Sequence, residues 1–118
     1  MDGVYVKSRK ILLVKRNVEP FRNYWHLVGG HVENNESIEH ALKREFKEET
    51  GLNIEVGDII DFRTEKTSDR TKIILVLKVT HATGKIKINS ENSEYAWFDK
   101  NPQKSIYDYT KYLNEEQK

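Results

Sequence analysis

Three glutamates in the middle of the chain, Glu45, Glu48 and Glu49, have the residue type and the spacing that can hold a cation. If this segment is a helix, a helical wheel with about 100° per residue places Glu45 and Glu49 within about 20° of Ile38. Leu42 falls about 40° from Ile38 on the same wheel. These carboxylates therefore share the apolar stripe that the helix turns toward the core, while the lysines of the segment point away.

The same acids stand at the helix end where acids are least favourable. Glu48 and Glu49 lie in the last turn, where the helix dipole disfavours a negative charge by about 0.3–1 kcal/mol. Inward carboxylates without a partner would protonate or destabilise the fold, so we expect a divalent cation with hard oxygen ligands. The alternative is a solvated helix in which Arg44 pairs with Glu48, and the wheel positions argue against it.

These acids belong to a longer pattern. It consists of Gly30, five residues, Glu36, seven residues, and then Arg44-Glu45-Phe46, Glu48-Glu49 and Gly51-Leu52. The pattern resembles the Nudix box, and every fixed position of the box is filled. The flanks are also similar to the family, with Trp25-x-Leu27-x-Gly29-Gly30 before the box and Glu94-x-x-Trp97 after it. Val28 stands where a proline is common, which predicts an altered loop and unchanged chemistry.

The resemblance implies an α/β/α sandwich with a mixed β-sheet and an enzyme that hydrolyses a nucleoside diphosphate linked to another group. It implies metal binding by Glu45, Glu48 and Glu49, with the backbone carbonyl of Gly30 as a further ligand. Arg44 would hold the glutamates through charge-assisted hydrogen bonds, so the expected catalytic set is Glu45, Glu48, Glu49 and Arg44. The expected cofactor is Mg²⁺, with Mn²⁺ as a substitute. Glu48 or Glu49 would accept a proton from the attacking water.

Several residues outside the helix are candidates for contact with the substrate. We predict this role for Gly29, His31, Arg63 and Glu94, and the alternative for the charged ones is a solvated loop or hairpin. Glu91 or Glu94 could supply a further metal ligand or the base, and a surface acid is the alternative for each.

The substrate class is less sharply indicated. Subgroups of the family that act on ADP-ribose or dinucleoside polyphosphates often carry a proline or a tyrosine at a place that corresponds to about Ser68 here. Neither residue is present, so a (d)NTP or a related nucleotide, cleaved by a MutT-like pyrophosphohydrolase, is favoured. The alternatives are an ADP-ribose or nucleotide-sugar pyrophosphatase, a non-catalytic nucleotide-binding module, and an enzyme of RNA 5′ ends. The last would need a more basic surface.

The elements expected to position these residues alternate between strands and helices. Apolar runs predict a hairpin over 4–6 and 11–14 and further strands over 24–28, 52–62, 72–79 and 95–98. The run at 72–79 is nearly continuous, which predicts a strand covered on both faces. The helix should span 36–50, with Asn35 or Ser37 as its N-cap and Gly51 as its end. Pro102 is expected to open a final helix.

The overall composition limits the domain number, the location and the partners that we expect. The chain has 118 residues, no cysteine, a net charge of +1 and a mean hydropathy of −0.78. We expect one domain over residues 1–118, a cytoplasmic location, and neither a disulfide framework nor a membrane span. The balanced charge argues against nucleic acid as a partner. A small nucleotide is the expected partner, and a homodimer is left open.

Overall fold

A computed structural model describes residues 1–115 of the chain. Its regular elements are eight strands, one α-helix and one short 3₁₀ helix in this part of the chain: β1 Asp2–Val4, β2 Val6–Lys7, β3 Lys10–Arg16, β4 Trp25–His26, β5 Val28–Gly29, α1 Ile38–Thr50, β6 Asn53–Lys66, β7 Thr71–Thr83, β8 Asn92–Phe98 and the 3₁₀ helix Thr110–Tyr112.

The strands form two sheets of four. The first has the order β5-β1-β7-β6, in which β1 runs parallel to β7 and antiparallel to β5, so the prediction of a mixed sheet is confirmed. In the second, β3 pairs with β2, β4 and β8, and each pair is antiparallel. The predicted first strand is divided at Tyr5, because Val4 belongs to the first sheet and Val6 to the second.

Two hydrophobic clusters lie on opposite faces of the strands. The alternation of side chains along β3 sends Leu12 and Val14 to the cluster under α1 and Ile11 and Leu13 to the other cluster. The second cluster is closed by the C-terminal segment, through Tyr109 and Tyr112 among others. The result is a three-layered α/β sandwich, as expected.

The helix α1 has the predicted signals at both ends. Ser37 is the N-cap, and its hydroxyl accepts a hydrogen bond from the backbone N–H of His40 at 3.1 Å. Gly51 ends the helix with φ of 76°, a left-handed conformation that suits glycine, and its N–H donates to the carbonyl of Lys47 at 3.0 Å. The helix packs Leu42 and Phe46 into the core.

Two structural predictions are wrong. No helix starts at Pro102, because the segment after it bonds to a distant strand: Trp25 N–H donates to Lys104 O at 2.8 Å, and Ile106 N–H donates to Trp25 O at 3.1 Å. The strand β7 is also not covered on both faces throughout, since Ile73 near its start is 63% exposed. Within the described residues, none of the helices is long and apolar enough to cross a bilayer.

Candidate active site

The C-terminal half of α1 borders a cavity of about 400 Å³, which we call the glutamate cavity. The loop after β5 and the residues before β8 form its other walls. The lining residues are Arg16, Gly29, Gly30, His31, Glu33, Arg44, Glu45, Glu48, Glu49, Asn89 and Glu91. The structure thus brings the three predicted acids together beside the glycine pair.

Arg44 is the centre of the charge network in this cavity. Its Nη1 donates to Glu45 at 2.8 Å and to Glu48 at 3.4 Å, and its Nε donates to Glu36 at 2.8 Å. Its Nη2 also donates to the carbonyl of His31 at 2.9 Å. Together with a hydrogen bond from the N–H of Glu33, Arg44 lowers the pKa of Glu36 to about 2. One guanidinium therefore joins the helix to the loop after β5 through charge-assisted hydrogen bonds.

Gly30 lies in direct contact with the carboxylate of Glu45. A Cβ placed on Gly30 would lie 2.4 Å from the Cδ of Glu45 and 2.6 and 2.7 Å from its two oxygens. The carbonyl of Gly30 accepts a hydrogen bond from the amino group of Met1 at 2.7 Å. Because Gly30 has no side chain, the carboxylate of Glu45 can lie against the backbone at position 30.

Glu49 is the most enclosed acid of the site. It is 4% exposed, and the Nδ2 of Asn92 donates to its Oε1 at 3.2 Å. Burial, followed by the hydrogen bond with Glu45, raises the pKa of Glu49 well above the ordinary range of a carboxylic acid. Glu48 is different, since 55% of its side chain is exposed. The three acids thus offer a buried, a half-buried and an exposed carboxylate to one cavity.

The donor set fits a hard divalent cation in its chemistry. It combines three carboxylates with the Gly30 backbone, and such hard oxygen ligands suit Mg²⁺ or Mn²⁺. In residues 1–115, no group of three or more histidines, cysteines, aspartates or glutamates is already drawn together at ligand distances. Arg44 instead holds Glu45 and Glu48 at the cavity wall.

The residues predicted to contact the substrate lie in three different places. Gly29 and His31 line the glutamate cavity. Arg63 lies in a neighbouring cavity of about 230 Å³, which we call the Arg63 cavity, between the β6–β7 hairpin and residues 106–109. Glu94 is not among the residues that line either cavity; its carboxylate pairs with Lys15 at 3.1 Å on the surface. Glu91 does line the glutamate cavity.

Sequence reasoning did not identify two residues that the structure places at the site. Asn92 is buried and holds Glu49, but it lies 43 positions further along the chain and no local pattern marks it. Arg16 ends β3 and lines both cavities. Its position at the end of a strand, after an apolar run and Lys15, is the one signal that could have indicated it.

Comparisons with known proteins identify the class. A family model of the NUDIX domain matches residues 2–102, so the chain belongs to the Nudix family. It is 34% identical over 97% of its length to an ADP-ribose pyrophosphatase of Methanocaldococcus jannaschii, of which the match covers 73%. It is 38% identical over 81% of its length to the nucleoside triphosphatase NudI of Escherichia coli, again covering 73% of that protein.

A solved structure supports the same fold. The MutT NUDIX hydrolase of Burkholderia pseudomallei superimposes with a TM-score of 0.84, covering 97% of this chain and 93% of the other, at 24% identity. The family model and the two relatives together make the chain an enzyme of the Nudix hydrolase family.

Proposed function

We propose that this enzyme is a nucleoside triphosphate pyrophosphohydrolase, which cleaves a (d)NTP or a related nucleotide with the help of Mg²⁺. The observation that carries the proposal is that Glu45, Glu48 and Glu49 line one cavity together with Gly29 and Gly30. The similarity to a nucleoside triphosphatase over four fifths of the chain supports the substrate class.

The cation would be held by the carboxylates of Glu45, Glu48 and Glu49 and by the carbonyl of Gly30, with Mn²⁺ as a substitute for Mg²⁺. When bound, a divalent cation offsets the charge that develops on the diphosphate and lowers the pKa of water. Arg44 positions Glu45 and Glu48, because its guanidinium contacts both. Glu48 or Glu49 accepts the proton of the attacking water.

The diphosphate would lie between the helix and the loop after β5. Gly29 and His31 line that space and would contact the phosphates. Arg16 borders both cavities and adds a positive charge where the substrate passes between them. Arg63 would contact the far end of the substrate, whereas Glu94, which pairs with Lys15, would reach it only by leaving that partner.

A second candidate, an ADP-ribose or nucleotide-sugar pyrophosphatase, is favoured by the similarity to a protein of that name at 34% identity. A third, from another class, is a nucleotide-binding module without catalysis. The intact set of box glutamates argues against this third candidate. A cytoplasmic location fits any of the nucleotide substrates, and we propose it on that ground.

A substrate screen separates these candidates. Phosphate release, coupled to inorganic pyrophosphatase, would be measured with Mg²⁺ over all ribo- and deoxyribonucleoside triphosphates. Chromatography would follow the products from ADP-ribose and nucleotide sugars. We expect the highest kcat/KM with a nucleoside triphosphate, which yields a nucleoside monophosphate and pyrophosphate. A higher value with ADP-ribose would favour the second candidate, and tight binding without turnover would favour the third.

A further inference from the structure

Glu49 is joined to a histidine of β4 through the amide of Asn92. The Nδ2 of Asn92 donates to Oε1 of Glu49 at 3.2 Å, and the Oδ1 of Asn92 lies 3.3 Å from Nε2 of His26. The other ring nitrogen of His26, Nδ1, lies 2.7 Å from the carbonyl oxygen of Leu27. An unbroken series of polar contacts therefore runs from an acid of the glutamate cavity to the backbone just before the glycine pair.

The strand β3 places the side chains of His26 and Asn92 close together. His26 pairs with Val14 on one side of β3. Asn92 pairs with Arg16 on the other side, where the register of β8 shifts just before Arg16, and such an irregularity can re-aim a side chain. Val14 belongs to the hydrophobic cluster under α1, and directly paired residues point to the same face of a sheet. The fold thus directs both polar side chains toward the end of α1 that carries Glu49.

The support given to Glu49 differs from the support that Arg44 gives to the other acids. The guanidinium of Arg44 donates to Glu45 and Glu48, whereas Glu49 receives the N–H of a neutral amide. A neutral amide fixes the position of the carboxylate and leaves its negative charge available to a cation. Hydrogen-bond partners of this kind orient metal-binding carboxylates, and their loss lowers metal affinity or activity by about 10–100-fold.

The amide of Asn92 can hold Glu49 in only one orientation. Its Nδ2 is the donor and must face the carboxylate, so its Oδ1, an acceptor, faces His26. Because Asn92 is 4% exposed, this oxygen depends on His26 for a donor. The imidazolium carries the required hydrogen on Nε2 and donates to Leu27 as well, and one of the two neutral tautomers also carries it. Without that donor the amide could turn over and lose its hydrogen bond to Glu49.

We infer that His26 is a positioning residue for Glu49, which acts by fixing the orientation of the Asn92 amide. The inference rests on the proposed function, since it adds the residue that holds one acid of that cation site in place. His26 also borders a space of about 160 Å³ that joins the two cavities into one groove, so contact with the substrate is the competing role. That role predicts a higher KM with unchanged cation binding, whereas the positioning role predicts a lower kcat and weaker cation binding.

The test compares the wild type with His26→Leu, His26→Gln and the control His81→Leu. His26→Leu removes both ring nitrogens, whereas glutamine at this position can again place an N–H beside the Oδ1 of Asn92. His81 is exposed on β7 and lines a different cavity, which shares no residue with the glutamate cavity. Two quantities would be measured: kcat and KM for the preferred nucleoside triphosphate at saturating Mg²⁺, and the dissociation constant of Mn²⁺ without substrate, by titration calorimetry.

We expect His26→Leu to lower kcat and to weaken Mn²⁺ binding by about tenfold or more, with KM changed by less than about threefold. His26→Gln should recover most of both losses, and His81→Leu should match the wild type. Asn92→Ala should behave as His26→Leu does. The double variant should lose little more than Asn92→Ala alone, because both changes break one series of contacts. Rescue by glutamine and the lack of additivity are results that a loss of packing alone would not give.

Two results would overturn the inference. One is a higher KM in His26→Leu with unchanged kcat and Mn²⁺ binding, which would assign His26 to the substrate. The other is a double variant in which the separate losses multiply, which would show that His26 does not act through Asn92. If His26→Leu does not fold, His26→Asn replaces it, because its shorter amide does not reach Asn92. No hydrolysis of any nucleoside triphosphate by the wild type would defeat the proposed function, whereas the Mn²⁺ measurements need no substrate and test the inference by themselves.

Discussion

The two cavities of this enzyme are built in opposite ways. The glutamate cavity takes Arg44, Glu45, Glu48 and Glu49 from one helix and is rich in carboxylates. The Arg63 cavity takes its walls from β1, the β6–β7 hairpin, the loop before β4 and the C-terminal segment, and its lining combines cations with aromatic rings. Most charged groups of the first cavity are therefore placed by local helical spacing, whereas those of the second come together through contacts between distant parts of the chain.

This difference suggests a division of labour. Residues on one rigid helix keep their relative positions, which suits a constellation that must hold a cation and a diphosphate. The walls of the Arg63 cavity depend on separate segments, so substitutions there, His26 apart, can change which base fits without disturbing the acids. We expect changes at the first cavity to abolish turnover and changes at the second to alter selectivity. The predictions below test that expectation, from the largest effect to the smallest.

Glu48→Gln and Glu49→Gln should each lower kcat by at least about 10²-fold, because each removes a negative ligand or the proton acceptor. The matched control is Glu39→Gln on the same helix, where Glu39 pairs with Lys43 at 3.5 Å in solvent. It should retain nearly full activity. Thermal melting should show that all three variants fold. A fully active Glu48→Gln, Glu49→Gln double variant would rule out the proposed site.

Gly30→Ala should lower kcat/KM by about tenfold or more, since the new Cβ would lie within 3 Å of the Glu45 carboxylate and displace it. All nucleotides should be affected alike, because the change lies on the phosphate side of the groove. Steady-state kinetics with GTP and ATP measures both quantities. An unchanged kcat/KM would show that the position of Glu45 does not matter, and a changed base preference would contradict the division between the two cavities.

The contact between the C-terminal segment and β6 should weaken in acid. Lys111 and the hydroxyl of Tyr112 bind Asp61 at 2.8 and 2.7 Å and lower its pKa to about 2, from an ordinary 3.8. Because the folded pKa is the lower one, the stabilisation is present above about pH 4 and is lost as the pH falls toward 2.

Asp61→Asn should therefore lower the free energy of unfolding at pH 7 by less than about 1 kcal/mol, as is usual for pairs near the surface. The difference from the wild type should shrink between pH 4 and pH 2, as measured by urea denaturation at each pH. The control is Asp58→Asn at an exposed position of the same strand. A difference between Asp61→Asn and wild type that stays constant down to pH 2 would contradict the assigned pair.

The acids of the glutamate cavity could be predicted from the sequence because they lie close together along one helix. The capping residues Ser37 and Gly51 define the helix, and the wheel position of Glu49 agrees with its burial. The alternative pairing of Arg44 with Glu48 also occurs, at 3.4 Å, but as one contact in a larger network. Local rules were sufficient here because one helix contributes most of the charged groups.

The rest of the site could not be predicted because its contacts span most of the chain. Arg63 meets Asp2 across 61 positions, and Asn92 meets Glu49 across 43. The helix predicted from Pro102 does not form, since hydrogen bonds to Trp25 hold the segment in another conformation. Apolar periodicity does not report which distant strand a segment will join.

The most direct test of the central claim is the dependence of hydrolysis on a divalent cation held by the glutamate cavity. Protein stripped with a chelator would be assayed with GTP, before and after titration with Mg²⁺ or Mn²⁺, and binding of Mn²⁺ would be followed in the same samples. We predict no turnover without metal, full recovery on addition of either ion, and weaker Mn²⁺ binding in Glu48→Gln and Glu49→Gln than in Glu39→Gln. Full turnover by the metal-free protein would contradict the account.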